Sequence, residues 1–473
     1  MGRTMASERT PGIKLLFVAL IGAALVIPLL MVYGLVSDRQ HQSRIAQQSI
    51  TAGWGGDQVL SGPVLVIPYE VERVQTEVVD GRNTTRSIKV REELFLSPEQ
   101  QKLSTDLEPE KRTRSIYETV TYLATNTGSA RFALPADLER SGVSRDRLLL
   151  GEEELRFGAS DPRGLQSDAK ATVGGKAVAL KPGNGVAASG GSGFHGFVDW
   201  AADAPLDVAY SYSLRGSRSV SLVPRGGVTE WTVKSPWPHP GFGGSFLPER
   251  KDIGTEGFEA TWSVANLALG QSLVMKADPG PPILMDEMIE LAPPAPVERA
   301  AAPSGPSMAA SIALVEPVDL YSRVDRAVKY GFLFIGFTFL AFFMFDIVGG
   351  ARVAAAEYLL TGAGLVLFFV LLLAFAEVIG FMLAYLVASA AIIGLLTAYS
   401  AAVLGSWLRA RVIGALLVGL YALLYVLLNL EAWSLLIGAV LLFFALAGTM
   451  YATRRIDWSS VGRRAESEEQ ALT

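Results

Sequence analysis

Cysteine is absent from this 473-residue chain, and histidine occurs only three times. The lack of cysteine excludes disulfides, thiol catalysis, iron–sulfur clusters and cysteine-based zinc sites. The net charge of −5 argues against nucleic acid as a partner. The chain also has no G-x-S-x-G, H-E-x-x-H or Walker A pattern. We therefore predict no catalytic residue, no metal site and no cofactor.

Charged residues are scarce in the C-terminal part of the chain. Between Gly331 and Ala452 only seven residues are charged, whereas the segment from Ser37 to Lys329 carries 31 Lys+Arg and 37 Asp+Glu. Such an uneven distribution is not typical of one soluble globular protein. It predicts a water-soluble domain attached to a bundle of membrane helices, with the lipid bilayer as a partner.

Six segments are apolar over the roughly 20 residues that cross about 30 Å of hydrocarbon. The first, Leu15–Val36, is uncharged and is longer than the apolar core of a cleaved signal peptide. Pro28 inside it is tolerated in a lipid-embedded helix. The other five predicted spans lie near the C-terminus: Tyr330–Val348, Val353–Phe375, Val378–Ala401, Val412–Leu430 and Trp433–Tyr451.

The basic residues of short loops predict the orientation in the membrane. With a cytoplasmic N-terminus, the basic residues beside the spans fall on the cytoplasmic side: Arg3, Arg9, Lys14, Arg352, Arg409, Arg411, Arg454 and Arg455. The two tight outer turns hold Glu377 and Glu431 and no basic residue. We therefore expect both termini in the cytoplasm and the large domain outside, in the periplasm of a cell with two membranes.

The predicted fold class is an α+β membrane protein. A mostly-β, sandwich-like exported domain lies between an N-terminal transmembrane helix and a C-terminal five-helix transmembrane bundle. Alternating runs such as Val208–Leu214 and Val228–Val233 support the β assignment. The predicted organisation is a cytoplasmic stub at 1–14, a transmembrane helix at 15–36, a periplasmic β-rich domain at 37–329, five transmembrane helices at 330–452 and a cytoplasmic tail at 453–473.

A stiff aromatic segment, Ser235–Pro248, is the first candidate binding surface of the exported domain. It contains four prolines and three glycines, and it carries Trp237, His239, Phe242 and Phe246. Exposed aromatic rings on a rigid loop form a stacking platform for a sugar or a peptide. The alternative is that the aromatics pack the loop onto the sheet.

Two acidic runs, Glu92–Glu93 and Glu152–Glu154, could suggest glycoside hydrolysis, which needs two facing carboxylates. Adjacent residues of a strand point to opposite faces, so neighbouring carboxylates within these runs cannot form such a pair. The runs are better explained as solvated charge. An enzyme would instead need a pair such as Asp161 with Asp252 or Glu256, in a cleft with a raised pKa.

Three basic residues at helical spacing, Arg323, Arg326 and Lys329, lead into the second span. Their position on the outer side runs against the usual bias. They are candidates for contacts with lipid phosphates, for salt bridges with nearby aspartates, or for a specific contact between the domain and the bundle.

Four acidic residues lie in or next to the predicted C-terminal spans: Asp346, Glu357, Glu377 and Glu431. Carboxylates in a membrane are costly and are therefore candidates for function. None is predicted at mid-depth, so all four can be interfacial. A transporter would show a central ionisable residue and broken helices, which makes that function less favoured.

Several segments resemble the CreD family of inner-membrane proteins, in order along most of the chain. They are Gly62–Tyr69 (G-P-x-L-x-I-P-Y), Ser160–Leu165 (S-D-x-R-G-L), Trp237–Pro248 followed by Gly257–Trp262, Glu316–Tyr330 followed by Phe342–Phe345, and Thr453–Trp458 (T-R-x-x-D-W). The chain departs from the family pattern at Asp346, at Ala354–Tyr358 and at Glu431–Trp433. The resemblance implies a multi-pass protein of the bacterial inner membrane linked to envelope integrity, two-component signalling, β-lactam response and colicin tolerance.

The leading hypothesis is a non-enzymatic protein that supports cell-envelope integrity and the response to envelope stress. Its exported domain would bind an envelope component or a periplasmic or membrane protein. The alternatives are a membrane-anchored enzyme acting on a lipid-linked or cell-wall substrate and, less favoured, a transporter with a polar cavity lined by Asp346 and Glu357. The sequence leaves the oligomeric state open.

Overall fold

The computed structural model describes residues 11–79, 82–283, 305–315, 320–347, 353–429 and 434–454. The chain divides into two compact units. One is Ile45–Pro317, here called the β-rich unit. The other, Met1–Arg44 with Val318–Thr473, is the helical unit.

The described helices follow one another along the chain as α1 to α8. They are α1 (Pro11–Trp54), α2 (Asn266–Leu269), α3 (Leu320–Lys329), α4 (Gly331–Ile347), α5 (Ala355–Ile379), α6 (Phe381–Val403), α7 (Trp407–Asn429) and α8 (Ser434–Thr453). All except α2 and the end of α1 belong to the helical unit.

Helix α1 continues well beyond the predicted end of the first span. The apolar pattern stops at Val36, but the helix runs to Trp54. Residues 37–54 are polar and contain no proline, and the left-handed Gly55 (φ +141°) follows the last helical residue. Hydropathy marks only the part of a helix that lipid can solvate, so it could not show this polar continuation.

The helical unit supplies helices that can cross a membrane. Helix α1, the stretch Leu320–Phe345 and the helices α5, α6 and α7 are each long and apolar enough to do so. Helix α8 is apolar over Gly438–Gly448. An α+β membrane protein with an N-terminal apolar helix and a C-terminal group of apolar helices is therefore confirmed.

The β-rich unit contains seventeen described strands. They are β1 (Gln58–Val79), β2 (Arg82–Leu96), β3 (Gln100–Arg114), β4 (Tyr117–Phe132), β5 (Glu153–Ala159), β6 (Lys170–Val173), β7 (Lys176–Ala177), β8 (Leu180–Pro182), β9 (Gly193–Val198), β10 (Leu206–Ser217), β11 (Ser219–Val223), β12 (Val228–Ser235), β13 (Pro240–Gly244), β14 (Arg250–Gly254), β15 (Gly257–Ala265), β16 (Val274–Met275) and β17 (Ala310–Leu314).

These strands form two sheets. The nine-stranded sheet has the order β13-β17-β11-β1-β5-β9-β8, and β2 pairs with both β1 and β16. The eight-stranded sheet has the order β14-β15-β12-β3-β4-β10-β6-β7. Most pairs are antiparallel, but β1–β11 and β12–β3 are parallel.

The two sheets enclose one apolar core. Ile67 and Phe157 of the nine-stranded sheet and Phe132 and Trp231 of the eight-stranded sheet belong to the same buried cluster. Along β12, buried and more accessible residues alternate, as expected of a strand with one face in the core. The predicted sandwich-like, mostly-β domain is confirmed.

Candidate functional site

The last turn of α1 is fastened within the β-rich unit by the segment Ser160–Gly164, here called the helix clamp. Arg163 Nη1 donates to the carbonyl oxygen of Ala52 at 2.9 Å. The backbone N–H of Gly56, just after the helix, donates to Asp161 Oδ2 at 2.9 Å. Carbonyl groups at a helix C-terminus lack partners within the helix, and a cation there is favourable. Arg163 of the clamp therefore supplies a hydrogen-bond donor and a positive charge to the C-terminal end of α1.

Asp161 and Arg163 hold each other in place within the clamp. Arg163 Nε lies 2.8 Å from Asp161 Oδ1, and Arg163 Nη2 lies 2.7 Å from Oδ2. The Arg163 side chain is the main cause of a lowered pKa at Asp161, against the opposing effect of burial. Asp161 thus stays ionised at neutral pH.

The enzyme hypothesis required a carboxyl with a raised pKa near Asp252 or Glu256. The pKa of Asp161 is lowered instead. Asp252 and Glu256 are both exposed, on the β14–β15 hairpin. These carboxylates therefore lack the environment that an acid catalyst needs.

Two glycines where α1 meets the clamp, Gly55 after the helix and Gly164 in the clamp, have no room for a side chain. A Cβ atom at Gly55 would lie 2.7 Å from the carbonyl oxygen of Arg215. A Cβ atom at Gly164 would overlap the same oxygen. That oxygen also accepts a hydrogen bond from Gln58 Nε2 at 2.9 Å. Glycine is needed at both positions because backbone approaches backbone.

A cleft of about 480 Å³ lies beside the clamp, and we call it the Trp54 cleft. The Trp54 ring lies between two guanidinium groups, with Arg112 3.4 Å and Arg215 4.1 Å from its centroid. The cleft is lined by Trp54, Glu108, Pro109, Glu110, Tyr122, Leu123, Gln166, Asp168, Ser213 and Arg215. The guanidinium groups of Arg112 and Arg215 already lie against the Trp54 ring. The ring therefore anchors α1 and does not act as a stacking platform.

A second cleft, of about 490 Å³, lies on the nine-stranded sheet and is called the charged cleft. It is lined by Val66, Pro68, Arg91, Glu92, Glu93, Gly151, Glu152, Glu154, Arg156 and Phe197. The sequence predicted solvated charge for both acidic runs, because adjacent carboxylates of a strand point to opposite faces. Glu152 and Glu154, two positions apart, both line this cleft. The fold brings Glu92–Glu93 of β2 next to Glu152–Glu154 at the start of β5.

Arg156 joins the two acidic runs in the charged cleft. Its Nε donates to Glu154 at 2.8 Å, and its two terminal nitrogens donate to both oxygens of Glu93 at 3.1 and 2.6 Å. Arg91 pairs with Glu152. Among the described residues, no group of three or more His, Asp or Glu side chains is placed to hold a metal ion. The carboxylates here are ion-paired hydrogen-bonding groups.

The predicted aromatic segment forms the edge strand β13 and the turns on either side of it. Trp237, Phe242 and Phe246 are partly buried and pack against the core. Trp237 Nε1 donates to the carbonyl oxygen of Val315 at 3.0 Å. The side chain of His239 is exposed. The three aromatic rings therefore anchor the segment, and His239 is the group among these four that is most open to a partner.

The three predicted basic residues lie on α3, whose buried face consists of Tyr321, Val324, Ala327 and Val328. The Arg323 guanidinium lies 5.2 Å from the Phe381 ring centroid. Arg326 is half-buried and Lys329 is exposed, with its ammonium 2.6 Å from Asp325. Helix α3 therefore packs its apolar side within the helical unit and carries its basic residues on the more accessible side.

Two of the four predicted membrane-embedded acids have described side chains. Glu377 Oε1 accepts a hydrogen bond from the Tyr321 hydroxyl at 3.3 Å and lies 3.8 Å from Arg39 Nε of α1. Glu357 Oε2 accepts from the backbone N–H of Ala354 at 2.7 Å and so caps α5. Glu431 and the side chain of Asp346 lie outside the described part of the chain.

Aromatic and leucine side chains fill the contacts between the C-terminal helices. Phe368 and Tyr421 lie 4.5 Å apart between ring centroids, and Leu372 and Leu417 are fully buried. Two described grooves between α1 and the C-terminal helices are lined by apolar side chains and glycine. The described contacts between these helices are therefore mainly apolar.

The family model for the inner membrane protein CreD matches residues 10–459 of the chain. Inner membrane protein CreD of Escherichia coli strain K12 is 31% identical over 452 residues, which cover 93% of this chain and 92% of that protein. Among solved structures, an M1 zinc metallopeptidase from Deinococcus radiodurans matches at 10% identity with a TM-score of 0.20, over 36% of this chain and 38% of that chain. A structural likeness at that level supports no inference.

Proposed function

The chain belongs to the CreD family of inner membrane proteins, and we propose that it supports cell-envelope integrity and the response to envelope stress without catalysing a reaction. In this proposal the β-rich unit lies in the periplasm and both termini lie in the cytoplasm. The unit binds an envelope component or a partner protein, and the apolar helices anchor it.

The attachment of α1 carries the proposal. One helix contains both the first apolar span and, at its C-terminal end, the residues that the helix clamp holds. The clamp contributes an ion pair, a hydrogen bond to a helix carbonyl and Gly164, where no side chain fits. Binding to the β-rich unit is thereby coupled to a membrane-spanning element, as a sensor or tether of the envelope requires.

Two further surfaces are proposed as contacts. The first is the exposed side of the segment around β13, where His239 is accessible and Trp237, Phe242 and Phe246 hold the backbone. The second is the basic face of α3, where Arg323, Arg326 and Lys329 would face lipid phosphates.

The clamp can be tested by complementation of a deletion strain. We expect deletion to increase sensitivity to detergent and β-lactams, and the wild-type gene to restore resistance. Arg163→Ala should fail to restore it while reaching normal levels in the membrane, because the bond to Ala52 and the pair with Asp161 are lost. Arg147→Ala is the matched control, since Arg147 is an exposed arginine of the same unit.

Two results would contradict the proposal. One is a deletion strain with no envelope phenotype under any of these stresses. The other is full rescue by Arg163→Ala. Orientation is tested separately with a reporter after Thr473, which should be active only in the cytoplasm; activity on the outer side would refute the proposed topology.

A further inference from the structure

The charged cleft combines an exposed aromatic ring with a prebuilt polar network. Phe197 lies on β9, directly opposite Glu154 on β5 in the strand register. The Lys181 ammonium lies 5.1 Å from its ring centroid, and Phe197 still remains 53% exposed. Directly opposite residues of an antiparallel pair share a face. The ring and the Glu154–Arg156–Glu93 network therefore lie side by side on the outer face of the sheet.

The polar groups of this cleft are fixed before any ligand arrives. Arg156 is largely buried, with 12% of its side chain exposed, and both Glu93 oxygens hold its guanidinium in one plane. Three of its five N–H groups are used in these contacts. Groups locked by their neighbours bind with a smaller loss of conformational entropy.

The side chains that line the charged cleft indicate which class of ligand it binds. A sugar ring has an apolar face of C–H groups that packs on an aromatic ring, and its neighbouring hydroxyls match the paired atoms of carboxylates and guanidinium groups. The lining contains four glutamates and two arginines, so its formal charge is −2. This charge opposes phosphorylated or other anionic ligands.

The shape also argues against an extended peptide. The cleft lies over β1, β2, β5 and β9, and β1 and β5 are paired on both sides. A peptide that adds to a sheet needs a free edge. The volume of about 490 Å³ lies in the range of about 300–1,000 Å³ typical of small-ligand pockets, which fits a short segment of a longer glycan.

We infer that the charged cleft is a saccharide-binding site for a neutral or amino-bearing glycan, with Phe197 as the ring platform and Glu93, Glu154 and Arg156 as the hydroxyl-binding groups. This deepens the proposed function, because it gives a chemical class to the envelope component. This inference rests on the proposed function only for the role of the ligand in the cell, because binding itself is measured with purified protein.

The test is a titration of the full chain in phospholipid nanodiscs, since a detergent with a sugar headgroup would compete. The probes are a tetramer of β-1,4-linked N-acetylglucosamine and a phosphorylated oligosaccharide of similar length. We expect saturable binding of the neutral tetramer, and weaker or no binding of the phosphorylated probe.

Variants locate the binding. Phe197→Ala should weaken binding of the tetramer by about tenfold, the effect expected from removing one stacked ring. Phe197→Trp should restore it, and Glu93→Gln should weaken it. Leu267→Ala is the matched control, because Leu267 is 90% exposed and does not line the cleft. Unchanged melting temperatures show that the fold is intact.

Three results would overturn the inference: no saturable binding of the tetramer, tighter binding of the phosphorylated probe, or equal effects of Phe197→Ala and Leu267→Ala. Any of them would leave an envelope phenotype of the deletion strain standing. The proposed function and the ligand class therefore fail separately.

Discussion

Replacing Gly164 by alanine tests the packing of the helix clamp. The added Cβ atom would overlap the carbonyl oxygen of Arg215 and would lie 3.0 Å from Gln58 Nε2, which itself donates to that oxygen. Backbone atoms cannot turn away as a flexible side chain can. Overpacking typically costs about 1–3 kcal/mol, and an overlap with backbone belongs near ~3 kcal/mol.

This loss should lower the melting temperature of the β-rich unit by about 6–12 °C, since each kcal/mol shifts a domain of this size by about 2–4 °C. Thermal unfolding of the full chain, followed by tryptophan fluorescence, measures it. Gly254→Ala is the matched control, because a Cβ atom there meets nothing within 4 Å. If Gly164→Ala melts together with wild type and Gly254→Ala, the reasoning about the clamp is refuted.

Three further predictions concern single side chains of the β-rich unit. Burial raises the pKa of Glu153 above its ordinary value of 4.5, so the folded protein loses stability as pH rises through the raised pKa. Glu153→Gln should therefore be more stable than wild type at pH 7 but not at pH 4, in melting curves across pH; equal gains at both would count against it. Arg163 lowers the pKa of Asp161 below its ordinary value of 3.8. The stabilisation by ionised Asp161 is therefore present above pH 3.8 and is lost as the pH falls through the lowered pKa. Asp161→Asn should flatten the acid side of the stability profile, and an unaltered acid side would disprove this. Trp237→Phe keeps a ring but removes the bond to Val315, so urea unfolding should show a loss of about 1 kcal/mol, and no loss would mean that the bond does not stabilise the strand.

Much of the fold was predictable because its signals are local. Hydropathy marks a lipid-embedded helix within about 20 consecutive residues, and alternation marks a half-buried strand within about six. The predicted runs Val208–Leu214 and Val228–Val233 accordingly lie inside β10 and β12. The end of α1 was not predictable, because polar helix and polar loop share the composition of residues 37–54.

The candidate sites were less predictable. The aromatic segment was open to two interpretations, since a tryptophan next to prolines looks the same whether it faces solvent or the core. The structure packs Trp237 against the core and leaves His239 exposed. In the sequence, the segment Ser160–Leu165 stands out only by its resemblance to a family motif. Nothing in the sequence indicates the contact between Arg163 and Ala52.

The sequence by itself determined which parts of this protein lipid solvates and which water solvates, because transfer free energy depends on the composition of each segment. It also determined the strand-rich nature of the central region. Only the tertiary structure decided which distant side chains meet. Glu93 and Arg156 are 63 positions apart, and Ala52 and Arg163 are 111 apart. Their contacts depend on strand order and register, which are set by the packing of the whole core and not by any one segment.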